Sequence, residues 1–327
     1  MGREMQGGIM LTVNFSRPLM ITVRFAEELL KRQTSAADSL SRVTKNDACI
    51  ASNTSFVGRV CFNMRTGSRY EDVWILPPGK ARVQNHEYIE GRYGELIFND
   101  SSVSLSDIQV GAWVVRQRYD RAASMLTSSP ELNDIWEMCR YTSEATSLDL
   151  YSDSNARQRS VDCMADDNTA MRLAYATSSS LALQNWAMKQ ALTTCGTGNL
   201  GPGKCRAEWT VLPLIMVRDD LLMTGDLSFA RKHFNDLVPN ALGSPNSSWP
   251  TDPRTGLIET ADVLIDWPPG MQDRYVLTER NSVANAFAFY GLTTLAEIAG
   301  WLGRSTDQAI YSARAEKLKA AINKLMF

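Results

Sequence analysis

Residues 150–167 hold the densest group of side chains that could do chemistry. This run contains four aspartates, two arginines and an amide at Gln158, between two segments of helical pattern. Carboxylates and guanidinium groups this close either pair with one another in a salt-bridged connection, or bind a polyhydroxylated or charged ligand. Taken alone, the run leaves both interpretations open.

Two further segments place a carboxylate beside a tryptophan. They are Glu208-Trp209 and Asp266-Trp267. A tryptophan ring can pack on the apolar face of a sugar ring while the neighbouring acid accepts its hydroxyl groups. One such pair is usually the edge of a core, but two pairs near helix ends, together with the acidic run, favour a sugar cleft. We therefore expect one end of the helical domain to gather Asp153, Arg157, Asp166, Trp209, Asp266 and Trp267.

Composition excludes several other functions. The chain has 327 residues, 44% hydrophobic content and a formal net charge of −2, so it can bury a core but lacks the basic surface that binds nucleic acid or an anionic membrane. No apolar run reaches the roughly 18 residues of a membrane span. Its only histidines are His86 and His233, and no CxxC pair occurs. We therefore expect no zinc site, and no other metal or cofactor is indicated.

The cysteines and sequons bear on location. Two cysteine pairs flank short segments that a disulfide could close, Cys49 with Cys61 and Cys195 with Cys205, whereas Cys139 and Cys163 are expected as free thiols. Glycosylation sequons begin at Asn14, Asn53, Asn99 and Asn246. These features favour an exported product. Because the first residues do not resemble a signal peptide, the alternative is a cytoplasmic protein.

The pattern of apolar residues changes near Tyr119. Before it, short β-branched or aromatic runs separated by turns predict strands at 10–15, 19–25, 56–62, 72–76, 93–98 and 112–119. After it, a spacing of three to four predicts a helix starting near Ser128, and others at 166–194, 207–224, 227–241, 279–302 and 305–326. The long polar loop 243–267 is a candidate functional loop. We therefore predict an antiparallel β-sandwich at 1–118 and, at 119–327, the first half of an α/α toroid.

An ordered series of segments resembles the α-L-rhamnosidases of glycoside hydrolase family 78. Segment 150–159 (LYSDSNARQR) is similar to the family signature D-x-x-x-R-E-R, and segment 129–136 (SPELNDIW) is similar to the start of the family's barrel. The other matching segments are 22–29 (TVRFAEEL), 90–96 (EGRYGEL), 224–226 (TGD) and 265–268 (IDWP).

The resemblance implies a β-sandwich before an (α/α)6 barrel, and inverting hydrolysis of terminal α-L-rhamnose from a rhamnose-containing carbohydrate. It makes Asp153 a sugar-binding aspartate with Arg157 beside it, and it implies a further sugar-binding aspartate near Asp162. Glu208 is a further candidate sugar contact because of its place beside Trp209. Gln158 stands at the position of the general acid, and an amide cannot deliver a proton. We therefore assign protonation to Asp166 or Asp167.

Two alternatives accompany this interpretation. α/α toroids also carry polysaccharide lyases, which need no protonated glutamate, and a cleft without chemistry would make the chain a sugar-binding fragment. The resemblance places the general base beyond residue 327, so we expect this chain alone to hydrolyse rhamnosides poorly or not at all. The oligomeric state is left open.

Overall fold

A computed structural model of the protein describes residues 2–32, 49–51, 53–63, 69–151, 164–195, 206–264 and 276–326. The chain divides into two compact units. One contains Met1–Gln117 and Glu144–Leu148, and the other contains Arg118–Ser143 and all of the later helices.

The first unit is built from antiparallel sheets. Its strands are β1 (Met5–Phe15), β2 (Leu19–Ala26), β3 (Lys31–Arg32), β4 (Ile50–Ala51), β5 (Glu71–Leu76), β6 (Gly79–Gln84), β7 (Ile89–Gly91), β8 (Tyr93–Phe98) and β9 (Ile108–Val114). In one sheet β1 pairs with β9 on one side and with β6 and β7 on the other. In the second sheet β2 lies between β5 and β8, while β3 and β4 form a short parallel pair.

Alternate residues of the two central strands share one core. Leu11 and Val13 of β1 and Ile21, Val23 and Phe25 of β2 are buried in a single cluster. A period of two sends every second side chain of a strand to the same face, so the two sheets enclose this core between them. The unit is therefore a β-sandwich, as the sequence predicts.

Gly7 allows β1 to pair closely with β9. A Cβ atom at Gly7 would lie 1.8 Å from the carbonyl oxygen of Trp113 in β9. Any other residue at this position would push the two strands apart.

Several details of the strand prediction are wrong. Instead of a strand at 56–62, the chain forms a 3₁₀ turn at Thr54–Phe56 that the Asn53 side chain caps by accepting a hydrogen bond from Ser55 N at 3.0 Å. Gly58 then takes a positive φ of 83°, which a regular strand does not allow. The predicted strand 112–119 is β9, which begins earlier and ends at Val114, and β6 is a strand that the sequence analysis missed.

Helices make up the second unit. They are α1 (Pro130–Ala145), α2 (Met164–Thr177), α3 (Ala182–Cys195), α4 (Ala207–Thr210), α5 (Leu212–Thr224), α6 (Ser228–Leu237), α7 (Ser282–Trp301) and α8 (Ser305–Leu325). Helix α5 lies against α2, α3, α6 and α7, and Leu214 and Met216 at its centre are fully buried. It ends at Gly225, whose φ of 70° is the left-handed conformation common after a helix.

Two of the predicted helices are each a pair of shorter helices in the structure. The predicted helix 166–194 is α2 and α3, because the chain leaves the helix at Ser178 and pairs with Arg121 as an isolated bridge. Ser178 Oγ also accepts a hydrogen bond from Ser180 N at 3.1 Å, the kind of local bond that competes with a helix. The predicted helix 207–224 is α4 and α5, and Pro213 lies in the first turn of the second.

The predicted disulfide between Cys49 and Cys61 is present, with their Cα atoms 5.3 Å apart. Cys139 is a free thiol, as expected. The side chains of Cys163, Cys195 and Cys205 lie outside the described residues. Among the helices that are described, none combines the length and the apolar character needed to cross a membrane.

Candidate functional site

Three of the predicted site residues have described side chains. Asp167 lies in the first turn of α2 and is 5% exposed, and Glu208 and Trp209 lie in α4. Of Asp166 only the backbone position in α2 is described. The other predicted residues, Asp153, Arg157, Gln158, Asp162, Asp266 and Trp267, lie outside the described part of the chain.

Glu208 of the first Trp-acid pair is hydrogen-bonded to a residue that comes shortly before the second pair. Its Oε1 atom accepts a hydrogen bond from Leu264 N at 2.7 Å, although the residues are far apart in sequence. Leu264 stands two residues before Asp266. The acid of the first Trp-acid pair therefore holds the last described residue before the second pair.

Further contacts fix the same two segments together. Ala207 N donates to Asp262 O at 2.9 Å, and the Arg206 guanidinium pairs with the Asp262 carboxylate. Thr210 Oγ1 accepts a hydrogen bond from Trp249 Nε1 at 3.1 Å and itself donates to Arg206 O at 3.0 Å. Helix α4 is thus anchored to the loop 243–264 at several points.

The Glu208 carboxyl group lies in an environment that disfavours its charge. Glu208 is 5% exposed, and among the described residues its Oε2 atom has no hydrogen-bond donor. Burial raises the pKa of Glu208, and the Asp262 carboxylate adds to the increase; the Leu264 N–H and the Arg206 charge act against it. A carboxyl group that keeps its proton more easily than usual can act as a general acid or can donate a hydrogen bond to a ligand oxygen.

We predict that Glu208→Gln stabilises the fold at neutral pH. A carboxyl group with a higher pKa in the folded chain than in the unfolded chain destabilises the fold as pH rises above the unfolded value of about 4.3. Glutamine has no charge to bury, and its amide oxygen can still accept from Leu264 N. We expect a gain of the order of 1 kcal/mol at pH 8, or about 2–4 °C in melting temperature, and almost none at pH 4.

The matched control is Glu297→Gln. Glu297 is half exposed, and its Oε2 atom lies 2.5 Å from Arg218 Nε, so its removal should leave the melting temperature unchanged or slightly lower at both pH values. Scanning calorimetry of the three chains at pH 4 and pH 8 makes the comparison. Equal behaviour of the two variants would show that the Glu208 environment does not penalise its charge.

A second polar group lies near the beginning of residues 150–167. Tyr151 is 3% exposed, and burial raises the pKa of its hydroxyl group, with smaller contributions from Tyr119 and Asp167.

The Tyr175 hydroxyl group donates to the Asp220 carboxylate. Burial raises the pKa of Asp220, whereas this hydrogen bond lowers it.

The sequence analysis did not select Tyr175 or Asp220. One signal was present for Asp220, because it is an acid in the largely apolar helix α5. In the structure it is 8% exposed. Buried acids are rare unless they have a partner. For Tyr175 no signal was available, since a tyrosine in a helix is usually part of the core.

Comparison with known proteins identifies the class of fold. Residues 120–327 match the family model of the bacterial α-L-rhamnosidase six-hairpin glycosidase domain. A rhamnosidase of family GH78 from Bacillus sp. GL1 has a TM-score of 0.75 and 16% identity, over 100% of this chain and 31% of that one. A rhamnosidase from Klebsiella oxytoca with rhamnose bound has a TM-score of 0.68 and 13% identity, over 99% and 61%.

An α-L-rhamnosidase from Dictyoglumus thermophilum has a TM-score of 0.67 and 17% identity, over 99% of this chain and 34% of that one. No curated protein matches the chain by sequence. The fold is thus that of a β-sandwich followed by helices of a six-hairpin glycosidase. The chain belongs to the bacterial α-L-rhamnosidase six-hairpin glycosidase family, and it spans 31% to 61% of the lengths of these three structures.

Proposed function

We propose that this chain carries a carbohydrate-binding part of an enzyme that removes terminal α-L-rhamnose from glycosides or polysaccharides by inverting hydrolysis. The observation that carries the proposal is the family match over residues 120–327. The buried Glu208 carboxyl group supports it, because one oxygen is held by Leu264 N while the described residues offer no donor to the other. Such an oxygen can bind a sugar hydroxyl group.

Each predicted residue has a place in this proposal. Asp153 and Arg157 bind the sugar, and Trp209 and Trp267 pack against its apolar face. The remaining contacts to sugar hydroxyl groups come from Gln158, Asp162, Glu208 and Asp266.

Proton delivery to the leaving oxygen is assigned to Asp166 or Asp167. Both lie in the first turn of α2, where the helix dipole favours a charged carboxylate. A general acid needs the opposite, so either residue requires a neighbouring negative charge or burial to hold its proton. Of the two, Asp167 is the one whose side chain is described, and it is 5% exposed.

An inverting mechanism also needs a second carboxylate, about 6.5–9.5 Å from the first, to activate water. We assign no described residue to this role. This is the physical reason to expect slow turnover, or none, from the chain by itself.

Product analysis tests the proposal. The purified chain is incubated with a rhamnose-containing polysaccharide, and free L-rhamnose, its initial anomeric form and ultraviolet absorbance are followed. We expect weak binding of L-rhamnose in calorimetry and slow release of the β-anomer, as inversion requires. An unsaturated product that absorbs in the ultraviolet would instead identify a lyase. Absence of both binding and turnover would contradict the proposal.

A further inference from the structure

Three glutamates from distant parts of the sequence meet in the β-sandwich. Each of Glu4, Glu27 and Glu90 offers a carboxylate oxygen, and these oxygens all lie within 4.8 Å of one another. Glu90 is buried, Glu27 is partly buried and Glu4 is exposed, so the group extends from the interior to the surface.

The two sheets bring this group together. Glu4 directly precedes β1, and Glu90 lies in β7, which pairs with β1. The chain then crosses to the second sheet, where Arg92 N donates to Ala26 O at 2.8 Å. Glu27 is the residue that follows Ala26, so its carboxylate arrives from the second sheet.

The surroundings disfavour the charge of two of these glutamates, Glu4 and Glu27. Although Glu4 is exposed as a whole residue, partial burial of its carboxyl group raises its pKa; the Glu90 carboxylate adds to this, and the Arg92 guanidinium opposes it. For Glu27, burial is again the main cause of a raised pKa, followed by the carboxylates of Glu4 and Glu90 and by a side-chain hydrogen bond between Glu27 and Glu90. The neighbouring Glu28 also repels Glu27, and its own oxygen lies 2.6 Å from Lys31 Nζ.

An independent observation concerns Gln6. Gln6 is 5% exposed, and its Oε1 atom is buried without a hydrogen-bond donor among the described residues. In the register of β1 and β7, Gln6 stands directly opposite Glu90. Residues directly opposite in an antiparallel pair send their side chains to the same face, with Cβ atoms about 4.5–5.5 Å apart. A buried amide oxygen without a donor therefore lies on the face that carries Glu90.

We propose that Glu4, Glu27, Glu90 and the Gln6 amide oxygen bind a calcium ion. Ca²⁺ takes carboxylate and amide oxygens at about 2.3–2.6 Å, so two ligands on opposite sides of the ion are about 4.6–5.2 Å apart. The carboxylate oxygens of Glu4, Glu27 and Glu90 lie within 4.8 Å of one another, so they are close enough together to share one calcium ion. Mg²⁺ fits less well, because it holds ligands at about 2.0–2.1 Å and usually keeps several waters in place of a third carboxylate.

The ion would connect the two sheets of the sandwich. Its ligands come from the start of β1, from β7 and from the residue after β2, so binding ties the N-terminal strand to both. This role is structural and separate from the proposed sugar chemistry. The histidine and cysteine pattern of the sequence gives no sign of this site, because its ligands include glutamates that are far apart in sequence.

Calorimetric titration of the full chain with CaCl₂ tests the proposal. After removal of metals by a chelator, we expect one ion per chain at pH 8 with a dissociation constant between about 10⁻⁵ and 10⁻³ M. Calcium at a hundred times this constant should raise the melting temperature by several degrees. Magnesium at the same concentration should raise it less.

Three variants make the test specific. Glu27→Gln and Gln6→Met should each weaken calcium binding at least tenfold, and Glu316→Gln, which alters an exposed glutamate of α8, should bind as the unsubstituted chain does. Without calcium, Glu27→Gln should melt above the unsubstituted chain, because one of three like charges is gone. Lack of calcium binding, equal binding by all four chains, or a calcium-free Glu27→Gln that melts lower would overturn the proposal.

Discussion

Replacing Gln158 by glutamate is expected to raise the slow hydrolysis of an alkyl α-L-rhamnoside by about 10²–10⁴, the usual contribution of a positioned general acid, because the helix dipole leaves Asp166 and Asp167 poor proton donors. Gln158 stands in the signature-like segment 150–159 where the resemblance places that acid. Glutamine and glutamic acid have almost the same size, but only the acid carries a proton that it can transfer.

The choice of substrate makes this prediction diagnostic. An alkyl leaving group departs as a strongly basic alkoxide and needs protonation, whereas p-nitrophenolate departs readily without it. The gain should therefore be large for methyl α-L-rhamnoside and much smaller for the p-nitrophenyl compound. Rates of L-rhamnose release and of p-nitrophenol release give the two values.

Gln158→Met is the matched control, since it keeps the length of the side chain and can neither donate nor accept a proton. Its kcat should remain as low as that of the unsubstituted chain, and the loss of one sugar contact should raise KM. If the unsubstituted chain is already fast and Gln158→Glu adds nothing, the acid is elsewhere. Asp166→Asn and Asp167→Asn would then show which of the two aspartates supplies the proton.

The second large effect is expected from Asn285→Ala, at about 3–5 kcal/mol of unfolding free energy. Asn285 of α7 is fully buried. Its Oδ1 accepts from Ile258 N at 2.8 Å, and its Nδ2 donates to Ile258 O at 3.1 Å and to Asn281 O at 2.9 Å. Truncation leaves both backbone groups of Ile258 buried without partners, and each such group costs about 1–3 kcal/mol.

We expect the loss of the Asn285 hydrogen bonds to loosen the loop that contacts the candidate functional site. Ile258 lies in the same loop as Leu264, which Glu208 holds. Urea denaturation measures the stability, and amide hydrogen exchange at Ile258 reports the release of the loop. Asn323→Ala, at an exposed position of α8, is the control and should change stability by less than about 0.5 kcal/mol. A similarly small loss for Asn285→Ala would contradict the role assigned to this side chain.

The order of the elements could be predicted because it depends on local patterns. The alternation of Leu11 and Val13 in β1, and the helical spacing that starts after Ser129 and Pro130, are readable from neighbouring residues alone. The divided helices could not be predicted this way. Helix α2 ends where Ser178 forms an isolated β-bridge with Arg121. A local sequence pattern cannot predict a partner so distant in sequence.

The candidate site, too, could be predicted only in part from the sequence. Residue types beside one another in sequence, such as Glu208 with Trp209, indicate carbohydrate chemistry without any coordinates. The hydrogen bond from Leu264 N and the raised pKa of Glu208 depend on how deeply the chain buries that carboxyl group.

The sequence by itself determined the sandwich, the helical region and the types of side chain available to bind a sugar, because these follow from periodicity and from chemistry between neighbours. Only the tertiary structure decided which distant groups meet, as Glu4, Glu27 and Glu90 do. The physical reason is that burial and electrostatic repulsion depend on distances in space, and the sheet register and helix packing that set these distances are properties of the whole fold.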